Sequence, residues 1–187
     1  MSVATQKMTI EEFLALPDDG IERDLIRGEV RVKGTTYRNR LHAKVVVRIG
    51  HQLLLWLEAQ SIRLGDVFSG DGGCILPNEE QTVVGIDVAF FSRATLDQQT
   101  DATSMIAGAP VLAVEVLSPS DKQEAIIEKI DLYLAAGTAL VWIVEPRFHT
   151  VTVYRPDAAP QLFNETQELT AGPHLPGFAV NVGKFFS

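Results

Sequence analysis

The stretch that decides the fold is Pro110-Val111-Leu112-Ala113-Val114-Glu115-Val116-Leu117-Ser118-Pro119-Ser120. A run of valines and leucines between two prolines predicts a buried β-strand. An unpaired carboxylate inside such a strand would cost several kcal/mol. Glu115 therefore needs a partner, which can be a cation, a metal ion or a set of hydrogen-bond donors.

A second carboxylate, Asp87, lies in the apolar run from Val83 to Phe91. Because side chains alternate between the two faces of a strand, Glu115 shares its face with Ala113, and Asp87 shares its face with Gly85. If the two strands are neighbours, both carboxylates can meet at one Mg²⁺, with Mn²⁺ as a substitute, since Mg²⁺ binds one or two carboxylates and keeps several waters. The alternative is that each carboxylate leans out at a strand end or pairs with an arginine.

Lys129 lies on the helix that follows the Glu115 strand. The helical spacing places it at the edge of the apolar face, beside Ile126 and Tyr133. A lysine in this position can bury its stem and present its ammonium to the sheet, or it can point to water. Two carboxylates, a metal ion and a lysine together can activate water and stabilise the transition state of phosphodiester hydrolysis.

Apolar periodicity and turn residues predict an α/β fold in which a mixed central β-sheet is flanked by helices. The length of 187 residues suits one domain, spanning 1–187. The pattern predicts a short N-terminal helix, a hairpin, a long helix and a C-terminal β extension, over residues 9–16, 21–33, about 40–59 and about 147–187. The turn from Leu53 to Leu57 is apolar all round, so we expect it to be deeply buried or to form the contact of a homodimer.

The charge distribution is asymmetric along the chain. The net charge is −8, which argues against unspecific binding of the whole molecule to a polyanion. The segment from Arg23 to Arg48 nevertheless holds eight basic residues against two acids. This asymmetry can mark a nucleic-acid face, or it can be a solvated helix face balanced by acids elsewhere. Arg38, Arg40 and Lys44 are the candidates for contacts with phosphates.

The composition also bounds the setting of the protein. The single cysteine, Cys74, excludes an internal disulfide and suits a reducing cytoplasm. No stretch approaches the roughly 18 to 20 apolar residues that cross a membrane, and the first residues lack the apolar core of a secretory signal. We therefore expect a cytoplasmic protein without a membrane partner.

The segment from Gly108 to Asp121 resembles the central motif of the Uma-type family of restriction-endonuclease-like proteins, a former domain of unknown function in the PD-(D/E)xK nuclease superfamily. The resemblance covers nearly the whole chain, because shorter motifs follow in the order of the family at residues 24–30, 41–42, 86–88, 129–133, 139–146 and 175–178. It implies a restriction-endonuclease-like core with added β-hairpins and a metal-dependent phosphodiesterase, with Asp87 and Glu115 as ligands of the metal.

The chain departs from this pattern at several positions. The superfamily has a lysine two residues after the glutamate, where this chain has Leu117, so the resemblance makes Lys129 the candidate for a displaced lysine. Asp24 stands where the family usually has a glutamate, and it is a candidate for a third metal ligand. His42 matches a histidine of the family and is a candidate catalytic residue, although a histidine on an apolar helix stripe is more often a hydrogen-bonded core residue.

Two functions of different classes remain open from the sequence. The first is a Mg²⁺-dependent endonuclease that acts above all on DNA, in which Lys129 positions or activates water and a homodimer would suit cleavage of two strands. The second is a catalytically inactive nuclease-like fold that binds nucleic acid or a protein partner. Leu117 and the acidic net charge favour the second function. Hydrolysis of a small phosphorylated molecule is weaker, because no nucleotide-binding loop is found.

Overall fold

The computed structural model describes residues 7–33, 39–77 and 81–187. Its helices are α1 (Ile10–Leu14), α2 (Arg40–Glu58), α3 (Arg93–Leu96) and α4 (Gln123–Ala135), with a 3-10 helix at Val182–Phe185. Its strands are β1 (Arg23–Ile26), β2 (Glu29–Val32), β3 (Gly65–Ile75), β4 (Val83–Ser92), β5 (Ile106–Ala107), β6 (Leu112–Val116), β7 (Leu140–Glu145), β8 (Thr150–Arg155), β9 (Ala158–Asn164), β10 (Glu168–Thr170) and β11 (Ala179–Asn181).

The central sheet is mixed and runs in the order β2-β1-β4-β6-β7-β8-β9. Strands β6 and β7 are parallel and are joined through α4, whereas the other neighbours along this path are antiparallel. Strand β3 pairs with β4 along its length, and the short β5 lies parallel to β3. Strands β10 and β11 form a separate two-stranded sheet. This architecture confirms the predicted α/β class with a mixed central sheet.

Helices cover both faces of the sheet, and β6 serves the cores on both sides. One core contains the buried stripe of α2, including Val45 and Ile49, and alternate β6 residues such as Val114. The other core contains Tyr133 of α4 and Ala113, the residue between Leu112 and Val114. Burial of a valine or isoleucine such as Val45, Ile49 or Val114 contributes about 1.5–3 kcal/mol, and both helices pack on the strand that carries Glu115.

The N-terminal elements follow the predicted turn chemistry. Thr9 Oγ1 accepts a hydrogen bond from Glu12 N at 3.2 Å, and Glu12 Oε2 accepts one from Thr9 N at 2.8 Å. This capping box starts α1, which ends at Leu14, two residues before the predicted end. The β1–β2 hairpin turns at Arg27 and Gly28, whose φ angles of 54° and 79° give the left-handed pair of a two-residue hairpin turn.

Two elements differ from the predicted boundaries for local reasons. The sequence predicts two strands around residues 66–69 and 74–76, but β3 is continuous and has an irregularity between Ser69 and Gly72, where Asp71 has a φ angle of 57°. The sequence also predicts that a helix starts at residues 118–121 and runs to Ala136, and this predicted start is wrong. Asp121 Oδ2 accepts a hydrogen bond from Ser118 N at 2.7 Å and so closes a turn, and α4 begins at Gln123.

The C-terminal half of α2 is buried on one side only. Leu53 and Trp56 lie in the core, and Trp56 Nε1 donates to Pro176 O at 2.8 Å. Leu54 and Leu55 are 40% and 49% exposed, so of the two alternatives for this turn the structure does not show deep burial. A homodimer through it stays a prediction. None of the helices in the described ranges, α2 included, is long and apolar enough to cross a membrane.

Cys74 gives a chemical test of how firmly β3 is packed. Its side chain is 1% exposed, its Sγ lies 3.3 Å from Gly108 O, and burial raises the pKa of the thiol to about 12. Because thiol reagents attack the thiolate, we expect Ellman's reagent at about pH 8 to leave the native protein unmodified and to react with one thiol per chain in guanidinium chloride. Rapid modification of the native protein would show that β3 opens readily.

Candidate active site

One edge of β4 changes its neighbour along its length. Strand β3 occupies the opposite edge from Val83 to Ser92. On the other edge β6 pairs with Val88 to Phe90, and the described residues of β1 pair with β4 at Val83. Between these pairs, at Gly85 to Asp87, no strand of the described residues lies beside this edge. We call this gap between β1 and β6 the fork of the sheet.

At the fork, side chains and not a neighbouring strand form the hydrogen bonds with the backbone of Gly85. Asp24 Oδ1 accepts a hydrogen bond from Gly85 N at 2.9 Å, and Lys129 Nζ donates one to Gly85 O at 3.2 Å. A Cβ atom on residue 85 would lie 2.6 Å from Lys33 Nζ, so the glycine leaves room for a second ammonium. The backbone at the fork thus fixes charged groups from β1 and α4.

Glu115 on β6 has two partners on α4. Lys129 Nζ donates to Glu115 Oε1 at 2.9 Å and to Oε2 at 3.0 Å, and the Tyr133 hydroxyl donates to Oε1 at 2.5 Å. Lys129 and Tyr133 are four residues apart, one turn of the helix, so they reach the same carboxylate. Of the two orientations expected for Lys129, the structure shows the one toward the sheet. The partner that Glu115 requires is therefore a cation together with a hydroxyl donor.

The charges at the fork are coupled. Burial raises the pKa of Glu115, while Lys129 opposes this shift and Asp87 adds to it. Burial acts to lower the pKa of Lys129, but Glu115, Asp24 and Asp87 outweigh it and raise the pKa of the ammonium. Burial and Glu115 raise the pKa of Tyr133 well above the usual range of a phenol. At neutral pH Lys129 is therefore a charged donor and Tyr133 a neutral donor.

Asp87 connects the fork to α2. Its Oδ2 atom accepts a hydrogen bond from Val116 N at 2.7 Å and lies 3.2 Å from His42 Nε2. His42 Nε2 is the donor here and the carboxylate oxygen of Asp87 is the acceptor. His42 is buried in the first turn of α2, which Asn39 caps by accepting from Leu41 N and His42 N. Both described hydrogen bonds of Asp87 use Oδ2, and neither uses Oδ1.

A cleft of about 580 Å³ opens over the fork. Its walls come from the β1–β2 hairpin, β4, β6, the loop after β6 and the first two turns of α4. Among the described residues, five acids and three lysines line it, namely Glu22, Asp24, Asp87, Glu115, Asp121, Lys33, Lys122 and Lys129. Ser118 and Ser120 add hydroxyl groups. The excess of acid would repel an anionic substrate unless a cation is also bound.

The donor set suits a hard divalent cation, but it is not assembled as a cage. Mg²⁺ prefers oxygen ligands and needs only one or two carboxylates, which Asp87 and Glu115 can supply from one cleft. Among the residues that the structure describes, no group of three or more His, Cys, Asp or Glu side chains is placed to hold a metal ion. Asp24, the predicted third ligand, binds Gly85 N and lies 3.4 Å from Lys33 Nζ.

The residues predicted to contact phosphates are not gathered at one place. Arg40 is exposed at the first position of α2, directly after Asn39, which lines the cleft. Lys44 Nζ donates to Phe186 O at 2.9 Å and does not line the cleft. Arg38 lies outside the described residues. The contacts of all three with nucleic acid stay predictions.

Lys33 is a further residue of the site that was not predicted, although the register of the hairpin fixes its position. A two-residue turn at 27–28 sets the register so that Asp24 lies opposite Arg31, which the structure shows. Lys33 is then the diagonal neighbour of Asp24 on the same face of the hairpin. Arg31 itself reaches α4, where its Nη1 lies 2.6 Å from Glu128 Oε2. This ion pair connects the hairpin to α4. The register could therefore have placed Lys33 at the site.

Comparisons with known proteins agree with this fold. The profile of a family described as "Uma2: Putative restriction endonuclease" matches residues 10–183. The structure is similar to a crystal structure described as a putative nuclease belonging to DUF820 from Anabaena variabilis. The TM-score is 0.81 at 20% sequence identity, over 96% of this chain and 97% of that chain, and this likeness shows the fold. No curated protein sequence matches the chain.

The Glu115–Lys129 pair gives a stability test of the fork. We expect Lys129→Met to lower the free energy of unfolding by about 3 kcal/mol in urea denaturation, because it leaves Glu115 buried without its cation. The matched control is Arg63→Met, which removes an exposed pair with Asp66 and should cost at most about 1 kcal/mol. Equal losses in the two variants would show that the fork does not depend on this ion pair.

Proposed function

The chain belongs to the Uma2 family of restriction-endonuclease-type proteins, and we propose that it is a divalent-cation-dependent endonuclease that hydrolyses phosphodiester bonds in DNA. The observation that carries the proposal is the fork, where Asp87 and Glu115 from neighbouring strands line one cleft beside a buried ammonium. This arrangement brings oxygen ligands and a cationic group to the same place, which are the groups that phosphoryl transfer requires.

The excess of acid in the cleft supports a bound cation. A phosphodiester carries a negative charge and would meet five acids against three lysines among the described residues of the cleft. Mg²⁺ or Mn²⁺, when bound, would stabilise the charge that develops on the phosphoryl oxygens. Asp87 Oδ1 is the atom best suited as a ligand, because both described hydrogen bonds of Asp87 fall on Oδ2. Glu115 would be the second ligand. Asp24 would hold the backbone of β4 in place through the hydrogen bond that it accepts from Gly85 N.

The neighbouring residues hold these carboxylates in place. His42 Nε2 and Val116 N fix Asp87 Oδ2 and thereby the orientation of its other oxygen. Lys129 and Tyr133 fix Glu115 from α4, and Lys129 also reduces the charge repulsion between Glu115 and Asp87. In this proposal Lys129 and His42 serve catalysis by orienting the carboxylates around the attacking water.

The path of the DNA would follow the N-terminus of α2. Arg40 is exposed next to Asn39 at the rim of the cleft, and Arg38 precedes it by two residues in the sequence. We propose that both contact phosphates and that Lys44 joins them by exchanging Phe186 O for a phosphate oxygen. A homodimer through the exposed Leu54 and Leu55 would bring two clefts to the two strands of a duplex.

We propose that the protein acts in the cytoplasm.

A second function is favoured by a specific observation. Leu117 stands directly after β6 where the superfamily has a lysine, Lys129 is engaged with both oxygens of Glu115, and no cluster of three metal-ligating side chains is found in the described ranges. A catalytically inactive fold that binds nucleic acid or a protein partner would show these features. Affinity for Mn²⁺ separates the two functions, because a binding module has no need of the ion.

The nuclease proposal is tested by cleavage of plasmid DNA with Mg²⁺ or Mn²⁺. We expect the wild-type chain to nick the plasmid and EDTA to abolish cleavage. Asp87→Asn should lose activity by about 100-fold or more, because it removes a charged ligand while keeping the shape of the side chain. Asp157→Asn, at the exposed β8–β9 turn, is the matched control and should keep full activity.

Two results would count against the proposal. Equal cleavage by wild-type protein and Asp87→Asn would remove the assignment of the site to the fork. A wild-type chain that neither cleaves the plasmid nor binds Mn²⁺ in a calorimetric titration would favour the inactive binding module instead.

A further inference from the structure

Two lysines reach the fork, and they differ in how their donors are used. Lys129 donates to Glu115 Oε1, Glu115 Oε2 and Gly85 O at 2.9, 3.0 and 3.2 Å. An ammonium has three N–H donors, so these three contacts occupy all of them. Lys129 could touch a substrate only by giving up a bond to Glu115 or to the backbone of β4.

Lys33 has the same exposure but looser contacts. Its side chain is 18% exposed and that of Lys129 17%. Lys33 Nζ lies 3.2 Å from Asp71 Oδ1 and 3.4 Å from Asp24 Oδ1, both longer than the roughly 2.7–2.9 Å of a strong charge-assisted hydrogen bond. These are its contacts within the described residues, so at least one of its three donors is available to a ligand in the cleft.

The backbone of β4 makes room for this ammonium. Gly85 has no side chain, and a Cβ atom there would lie 2.6 Å from Lys33 Nζ and 3.1 Å from Asp71 O. Lys33 lines the cleft, and its ammonium reaches the backbone of β4 beside Asp24. Two acids hold it there without using all of its donors.

We infer that Lys33 supplies the ammonium that contacts the phosphodiester in this cleft, while Lys129 positions Glu115. The inference rests on the proposed function. Lys33 donates a hydrogen bond to a non-bridging phosphate oxygen and transfers no proton. It also offsets the repulsion between the substrate and the acids of the fork. The residue directly after β6 is Leu117 and not a lysine, and the cleft receives a substrate-facing ammonium from Lys33, directly after β2, instead.

The experiment compares lysine variants of the full chain in binding to a short fluorescent DNA duplex. Fluorescence anisotropy is measured in the presence of Ca²⁺ over a series of salt concentrations. Ca²⁺ binds oxygen ligands and replaces Mg²⁺ in order to slow cleavage. Lys33→Met should weaken binding about tenfold, the effect of one charge-assisted hydrogen bond, and should lower the slope of log K against log salt by about 0.9. Lys33→Arg should retain most of the affinity.

Two further variants separate contact from structure. Lys184→Met removes one exposed charge outside the cleft and should leave affinity and slope unchanged. Lys129→Met should lower the melting temperature markedly, and its folded fraction should keep the salt slope of the wild type. If Lys33→Met fails to fold, Gly85→Ala tests the same contact, because its Cβ displaces the Lys33 ammonium while keeping the charge.

The outcomes distinguish the inference from the proposed function. If the wild type cleaves DNA and folded Lys33→Met binds with unchanged affinity and salt slope, the inference about Lys33 is wrong and the nuclease proposal stands. The inference is equally wrong if Lys129→Met, and not Lys33→Met, lowers the slope of log K against log salt. A wild-type chain that neither binds nor cleaves DNA overturns the proposed function, and with it the role of Lys33.

Discussion

The contact between the Lys129 ammonium and the Glu115 carboxylate holds the fork of the sheet together. Lys129 also donates to Gly85 O, so one side chain of α4 connects β6 and β4 where these strands have no regular pairing. Tyr133 adds a second link from the same helix. Because an uncompensated charge at this depth would destabilise the fold, the geometry of the cleft and the stability of the core depend on the same pair.

Much of this arrangement could be predicted from the sequence, and the remainder could not for physical reasons. The apolar run around Glu115 identifies a buried strand with a carboxylate that needs a partner, and helical spacing places Lys129 within reach. The fork itself depends on which strands lie beside β4. These pairings join residues far apart in the chain, so the sequence around Gly85 does not reveal them. The start of α4 was missed because Asp121 serves the preceding turn through Ser118 N.

The division of charge in the cleft connects the fold to the proposed chemistry. Among the described residues of the cleft, acids exceed lysines, and Lys129 is fully engaged by Glu115 and Gly85. A nuclease of this design needs a cation to neutralise its carboxylates and a less constrained ammonium to meet the substrate. Asp87 with its Oδ1 atom and Lys33 at the end of β2 satisfy these two requirements with separate residues, so Lys129 can remain in its structural contacts.

The most direct measurement of the central claim is a crystal of the wild-type chain soaked in Mn²⁺ and recorded at a wavelength where manganese scatters anomalously. The account predicts an anomalous peak between Asp87 and Glu115, within about 2.0–2.3 Å of Asp87 Oδ1, and its loss in Asp87→Asn crystals. A fork without such a peak, with Lys129 still bound to both oxygens of Glu115, would contradict the account.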